Sequence, residues 1–232
     1  MEVIDFGLTD YGIILNQQQS LFETLIEAKK SGKEEREYVL IGEHPSVITM
    51  GRRAVEGNIL QPPEFLEKKG IKVFKIGRGG DVTYHCEGQL ILYPIIDLER
   101  HRLGVKEYVN LLEETVINVL APYGLKGERI EGATGVWLGK DTERERKICA
   151  IGVKCSRFCT MHGLSLNVNS DLSGFEFINP CGFKDKGVTS MARELKGTED
   201  KELEMSQIKK ELLDQFLLLL KSHERQDGTP NN

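Results

Sequence analysis

With 232 residues, 39% of them hydrophobic, the chain can bury one sizeable core, and its length favours one large domain over two small ones. The net charge of −5, from 31 Lys and Arg against 36 Asp and Glu, offers no broad basic surface for non-specific nucleic-acid binding. Five cysteines are an odd number in a chain too long to need crosslinks, so they read as reduced thiols, and Cys149, Cys155 and Cys159 lack the spacing of a metal site.

The opening Met-Glu-Val-Ile-Asp-Phe lacks the basic start of a secretory leader and fits a strand over 1–6. No apolar run approaches the roughly 18 residues of a membrane span, so a cytoplasmic protein without membrane association is expected. Asp10 can cap a helix that runs to about Lys30, with Ile14, Leu21, Phe22, Leu25 and Ile26 on one stripe and Gly32 at its stop. Short β-rich runs at Tyr38–Ile41 and Ser46–Thr49 flank Glu43-His44-Pro45; Pro63 then opens a short helix ending near Gly70, and Ile71–Ile76 is a strand. The nearly unbroken apolar run Leu90–Ile96 predicts a central strand buried on both faces. Apolar residues from Val105 to Leu120 recur at three- and four-residue steps and predict an amphipathic helix over 105–121. Three strands come next, Thr134–Leu138, Lys147–Lys154 and Met161–Val168, the first two joined by the charged tip Asp141–Arg146. Thr189 or Ser190 can cap a short helix; Ile208, Leu212, Phe216, Leu219 and Leu220 mark a last one before a polar tail at 223–232. Strands interspersed with flanking helices indicate an α+β fold, one domain over 1–222 with a mixed sheet.

Two stretches can carry chemistry. Lys75-Ile-Gly-Arg-Gly-Gly-Asp-Val-Thr-Tyr-His-Cys-Glu-Gly-Gln-Leu90 places glycines between two strands, where the backbone can approach a ligand, although such a loop is often purely structural. Its glycines lack the spacing of a dinucleotide fingerprint. Asn179-Pro-Cys-Gly-Phe183 puts a thiol on a tight turn, where Cys181 is either an inert small residue or an accessible nucleophile whose pKa a nearby cation lowers. Candidates for that cation or base are Lys147, Lys154, His85, His162, Lys184 and Lys186. Lys147 opens an otherwise apolar strand, so it either reaches water at a hairpin end or is desolvated enough to act as a base. Cys86, beside His85, is the rival thiol, while Cys149 reads as core.

Taken together, Arg78-Gly-Gly-Asp-Val-Thr-Tyr-His85, Gly88-Gln-Leu90, Lys147-Ile-Cys-Ala-Ile-Gly-Val-Lys154, Thr160-Met-His-Gly-Leu-Ser-Leu-Asn167 and Pro180-Cys-Gly182 resemble the lipoyl(octanoyl) transferases of lipoate biosynthesis, from about His44 to Glu194. The resemblance implies a biotin/lipoate protein ligase-like fold, Cys181 as the acyl-thioester nucleophile and Lys147 as its partner. It also implies an acyl pocket lined by Arg78, Gly79, Gly80, Asp81, Val82, Thr83, Tyr84 and His85, by Ala150, Ile151 and Gly152, and by His162, Gly163, Leu164 and Ser165. Octanoyl-acyl carrier protein would be the donor; lipoyl domains of 2-oxoacid dehydrogenase complexes and the glycine cleavage H protein would be the acceptors. A monomer with no cofactor and no metal is expected, since a thioester is already activated. Where the family usually has His-Gly-Pro-Gly-Gln, this chain has His85-Cys86-Glu87-Gly88-Gln89. An ATP-dependent lipoate-protein ligase and a non-catalytic acyl- or lipoyl-domain binding module are the alternatives.

Overall fold

The computed structural model describes residues 1–179, 187–196 and 203–225, the side chains of the last segment through 223. In chain order the elements are β1 (Glu2–Leu8), α1 (Tyr11–Lys30), β2 (Tyr38–Glu43), β3 (Val47–Met50), α2 (Pro63–Lys68), β4 (Lys72–Lys75), β5 (Val82–His85), β6 (Gln89–Ile95) and α3 (Val105–Leu120). The second half of the chain adds β7 (Glu128–Ile130), β8 (Ala133–Leu138), β9 (Arg146–Ser156), β10 (Cys159–Asn167), β11 (Gly187–Val188), α4 (Met191–Glu194) and α5 (Met205–Arg225). The predicted helices and long strands are all present, and Asp10 does cap α1, its carboxylate accepting the Gly12 N–H at 2.8 Å.

The strands form two sheets, where the sequence suggested one. The larger has the order β1-β2-β6-β10-β9-β8-β7, with β11 added in parallel to β9; the smaller has the order β4-β3-β5. β5 went unforeseen because it follows three glycines directly and its Val-Thr-Tyr-His alternation is only four residues long, too short to stand out from a loop. As expected, β6 is central and wholly buried, paired with β2 on one side and β10 on the other.

Each face of the large sheet has its own core. Leu90, Leu92, Leu164 and Leu166 pack with Tyr108, Leu112 and Val116 of α3 and Ile208, Leu212 and Phe216 of α5. On the opposite face Ile91, Tyr93, Ile95 and Met161 pack with Ile14, Phe22 and Leu25 of α1. The small sheet turns Ile48, Met50, Val82, Tyr84 and Cys86 toward Leu66 of α2 and Ile178. Its other face, carrying Thr49, Thr83 and His85, is left to meet the large sheet. Among the described residues no helix is long and apolar enough to cross a membrane.

Candidate active site

The space between the two sheets is a cavity of about 540 Å³, within the range of small-molecule sites. Its roof is the glycine-rich loop and β5. Arg78, 8% exposed, folds back under this roof: Nη2 donates to the Thr49 carbonyl at 2.8 Å and to Thr49 Oγ1 at 3.0 Å, and Nη1 donates to the Gly79 carbonyl at 2.9 Å. Asp81 holds the turn, with Oδ1 accepting the Val82 N–H at 2.8 Å and Oδ2 accepting from Asn58 at 2.6 Å. The loop is stitched to β9 by the Gly79 N–H donating to the Val153 carbonyl at 2.8 Å. That approach depends on Gly152, where a Cβ would stand 2.9 Å from the Gly79 carbonyl oxygen and 3.0 Å from Arg78 Cδ.

The floor is the α1 face of β6, β10 and β9. Ala150 and Gly152 border it from β9, and Gly163, Ser165 and Asn167 from β10. Strict alternation would aim Lys147 the other way, toward the α3 layer with Cys149, Ile151, Val153 and Cys155. A β-bulge prevents this: Val136 pairs with Cys149 but Trp137 with Lys147, so β9 carries one extra residue there. Both Ile148 and Cys149 then lie in the α3 core, and Lys147 joins Ala150 and Gly152 in bordering the cavity. Its Nζ donates to the Thr134 carbonyl at 3.1 Å and stands 4.6 Å from the centroid of the Trp137 ring. A cation over an aromatic face is stabilised by the ring quadrupole, so these contacts favour the ammonium form. Lys147 is therefore half-buried over an indole rather than fully released to water.

At the far end of the cavity the rings of Tyr11, His85, Tyr93 and His162 gather with that of His44. Tyr11 stacks on His85 at 6.0 Å between centroids and meets His44 edge-on at 5.1 Å; Tyr93 meets His162 edge-on at 6.4 Å. Burial lowers the pKa of His85 to about 3, with neighbouring His44 adding to the effect, and burial beside Arg78 lowers that of His162 to about 3. Burial also holds His44 below its ordinary value. All three imidazoles are neutral at physiological pH. The Thr9 carbonyl, 2.7 Å from His44 Nδ1, fixes the proton there and leaves Nε2 to accept from the Tyr93 hydroxyl at 3.2 Å. His162 sits within β10 at a left-handed φ of 61°, and its N–H donates to Oε1 of the fully buried Gln18 at 3.0 Å.

Of the predicted site residues, Arg78, Gly79, Gly80, Asp81, Val82, Thr83, His85, Lys147, Ala150, Gly152, His162, Gly163 and Ser165 all border this cavity. Ile151 and Leu164 border it too, although their side chains pack in the α3 layer. Tyr84 does not. Alternation along β5 turns it to the outer face of the small sheet, where its hydroxyl pairs with Ser46 Oγ at 2.8 Å and its ring packs on Phe175. Cys86 shares that outer core, 4% exposed, and burial pushes its thiol up to about 11. Neither Cys86 nor Glu87 borders the cavity, which weighs against Cys86 as a nucleophile there. Cys181, Lys184 and Lys186 lie outside the described residues. The chain is placed again from Gly187: Val188 pairs with Lys147, and the Thr189 N–H donates to the Lys147 carbonyl at 3.0 Å. Sequence reasoning passed over Tyr11, Tyr93, Gln89 and Asn167 as lining residues. For Gln89 and Asn167 a signal was available, a carboxamide at the end of the apolar run of β6 and another at the end of β10.

Residues 13–217 match the family described as the lipoyl protein ligase A/B catalytic domain. A curated octanoyltransferase of Parabacteroides distasonis is 51% identical over 213 residues, which cover 91% of this chain and 96% of that protein. Another, from Bacteroides thetaiotaomicron, is 49% identical over 210 residues, 90% of this chain and 91% of the relative. Among solved structures, a bipartite lipoate protein ligase of Thermoplasma acidophilum superposes with a TM-score of 0.65 at 16% identity, covering 95% of this chain and 83% of the other. The biotin protein ligase of Aquifex aeolicus gives a TM-score of 0.52 at 13% identity, over 97% and 72%. At these identities the structural likeness shows the shared fold alone.

Proposed function

We infer that this chain, which belongs to the lipoyl protein ligase A/B catalytic-domain family, is an octanoyltransferase that works through Cys181 and Lys147. The observation that carries the reading is the bulge in β9, which brings Lys147 to the cavity at the point where the chain returning from Cys181 pairs with its strand.

In the first half-reaction the Cys181 thiol gives its proton to the Lys147 amine, and the resulting ion pair suits contacts that favour an ammonium. The thiolate attacks the carbonyl carbon of an octanoyl thioester on an acyl carrier protein. A new carbon–sulfur bond forms, the bond to the carrier sulfur breaks, and the carrier leaves as a thiol with the proton from Lys147. In the second, the ε-amine of a lysine on a lipoyl domain attacks the acyl-enzyme. The carbon–nitrogen bond of the amide forms as the bond to Cys181 breaks, and the amine's proton passes through Lys147 to the departing sulfur. No oxidant or reductant enters, and the thioester supplies the driving force, so ATP has no step to serve. The acyl tail would run from the Lys147 end of the cavity along Ala150 and Gly152 toward the ring cluster.

The test is intact-protein mass after mixing with octanoyl carrier protein in the absence of ATP. A hydroxylamine-labile octanoyl adduct is expected on the wild type and on Cys86→Ser, and none on Cys181→Ser. Lys147→Ala should form it about 10²–10⁴-fold more slowly, the usual contribution of a proton-transfer residue. An adduct that persists in Cys181→Ser, or transfer that starts only when ATP and free octanoate are supplied, would overturn the mechanism.

A further inference from the structure

Gln89 and Asn167 are 1% and 4% exposed, and burying a carboxamide is costly unless its donors and acceptor all find partners. Here they do. His85 Nδ1 lies 2.6 Å from Gln89 Oε1, Gln89 Nε2 donates to Asn167 Oδ1 at 2.8 Å and to the Tyr84 carbonyl at 3.3 Å, and Asn167 Nδ2 donates to the Thr189 carbonyl at 2.9 Å. At the other end, Thr49 Oγ1 accepts from Arg78 at 3.0 Å and faces His85 Nε2 at 3.4 Å. One assignment of protons satisfies the whole series: His85 carries its hydrogen on Nδ1, and each donor points the same way, from the Arg78 guanidinium to the Thr189 carbonyl. Aligned hydrogen bonds polarise one another, which strengthens the last link of such a chain.

The series crosses the molecule, from the small sheet at His85 through β6 and β10 to the segment that returns from Cys181. We propose that Asn167, oriented by Gln89, is a positioning residue for acyl transfer: its amide clips this returning segment against β9 and so sets the approach of the nucleophile to Lys147. The inference rests on the reading of Cys181 and Lys147 as the reacting pair. A second set of bonds holds the same segment from outside: Thr189 Oγ1 donates to Glu194 Oε1 at 2.5 Å, Arg146 Nε to the same carboxylate at 2.6 Å, and the Ala192 N–H to the Val168 carbonyl at 2.8 Å. Loss of the Asn167 clip should therefore leave the segment attached but poorly aimed.

Asn167→Asp and Gln89→Glu keep the shape of each side chain while replacing its donating nitrogen with oxygen. Full-length variants would be compared with wild type for kcat and KM on octanoyl carrier protein, for thermal midpoint, and for the pH dependence of Cys181 alkylation by iodoacetamide, with Cys181→Ser as blank. The expected result is a kcat about tenfold to a hundredfold lower, as for one misdirected buried hydrogen bond, with KM changed by less than about threefold. The alkylation profile should move to higher pH, a shift that a merely structural role does not produce in folded protein. Should Asn167→Asp fail to fold, Asn167→Ser, which introduces no charge, carries the same expectation. A folded variant with wild-type kcat and an unmoved alkylation profile overturns the proposal, as does a kcat that falls only in step with the thermal midpoint. If instead wild type forms no adduct on Cys181, or Lys147→Ala leaves the alkylation profile in place, the reacting pair itself is wrong and the clip falls with it.

Discussion

His162 shows how far one residue can depart from the expectation of its strand. A left-handed φ of 61° is a strained choice for a non-glycine residue, though histidine and asparagine tolerate it better than most. The return is that His162 faces Tyr93 and the cavity, with Gln18 taking up the N–H that the turn releases. Burial then gives the histidine cluster a pH signature. His85 and His162 titrate near 3 when folded and near 6.5 when unfolded, so below about 6.5 the unfolded chain binds protons that the folded chain refuses. Stability is full above that pH and is lost progressively as pH falls toward 3. We expect the thermal midpoint to drop between pH 7 and pH 5, and His162→Asn, which accepts the same φ without a titrating ring, to drop less; equal slopes would show that His162 titrates alike in the folded and unfolded chain. The motif residues of this cluster were legible because their types and order carry a family resemblance. Tyr11 and Tyr93 were not, since one looks like the start of any amphipathic helix and the other like a core position of an apolar strand.

At the scale of elements, periodicity was an adequate guide wherever it ran long: α1, α3 and α5 and the strands β6, β9 and β10 lie where the apolar spacing put them. It failed on β5, and it could not reveal the bulge in β9, because an extra residue leaves no mark in a run of apolar side chains. The bulge has a structural signature in β8. Gly135 stands just before the bulge's partner Val136 at φ 123°, its N–H donates to Glu113 Oε1 at 3.0 Å, and a Cβ there would lie 2.5 Å from the Cys149 carbonyl oxygen. Gly135→Ala should therefore cost about 1–3 kcal/mol from the backbone conformation alone, with the backbone contact adding to it. Because the same contact fixes how β9 presents Lys147, transfer by the folded fraction should fall by at least about tenfold. Urea unfolding and single-turnover acylation, measured on one preparation, separate the two effects. A variant that is destabilised yet fully active per folded molecule would dissociate the bulge from catalysis.

Over the whole molecule, the cavity is where two sheets fail to touch. Ala150 and Gly152 keep it open on the β9 side, and the ring cluster closes the end remote from Lys147, so on the proposed function its length would bound the acyl chain that fits. Ala150→Leu should shift the preferred donor from eight carbons toward shorter chains, since each methylene that loses its place forfeits about 0.8 kcal/mol. A series of acyl carrier thioesters from four to ten carbons reads this directly; an unchanged optimum would mean the chain lies elsewhere. The family resemblance named much of its lining, but its shape could not be drawn from periodicity, because its walls come from residues far apart in the chain and its roof belongs to a sheet that was not foreseen.

The parallel pairing of β11 with β9 also sets an order of events in time. Gly187 and Val188 meet Arg146 and Lys147 from far along the chain, and parallel, non-local pairings are late to form. On the proposed mechanism, Cys181 would gain its partner only once this late pairing is made. Its reactivity would then arrive with the final contacts, and a half-made chain would leave thioesters untouched.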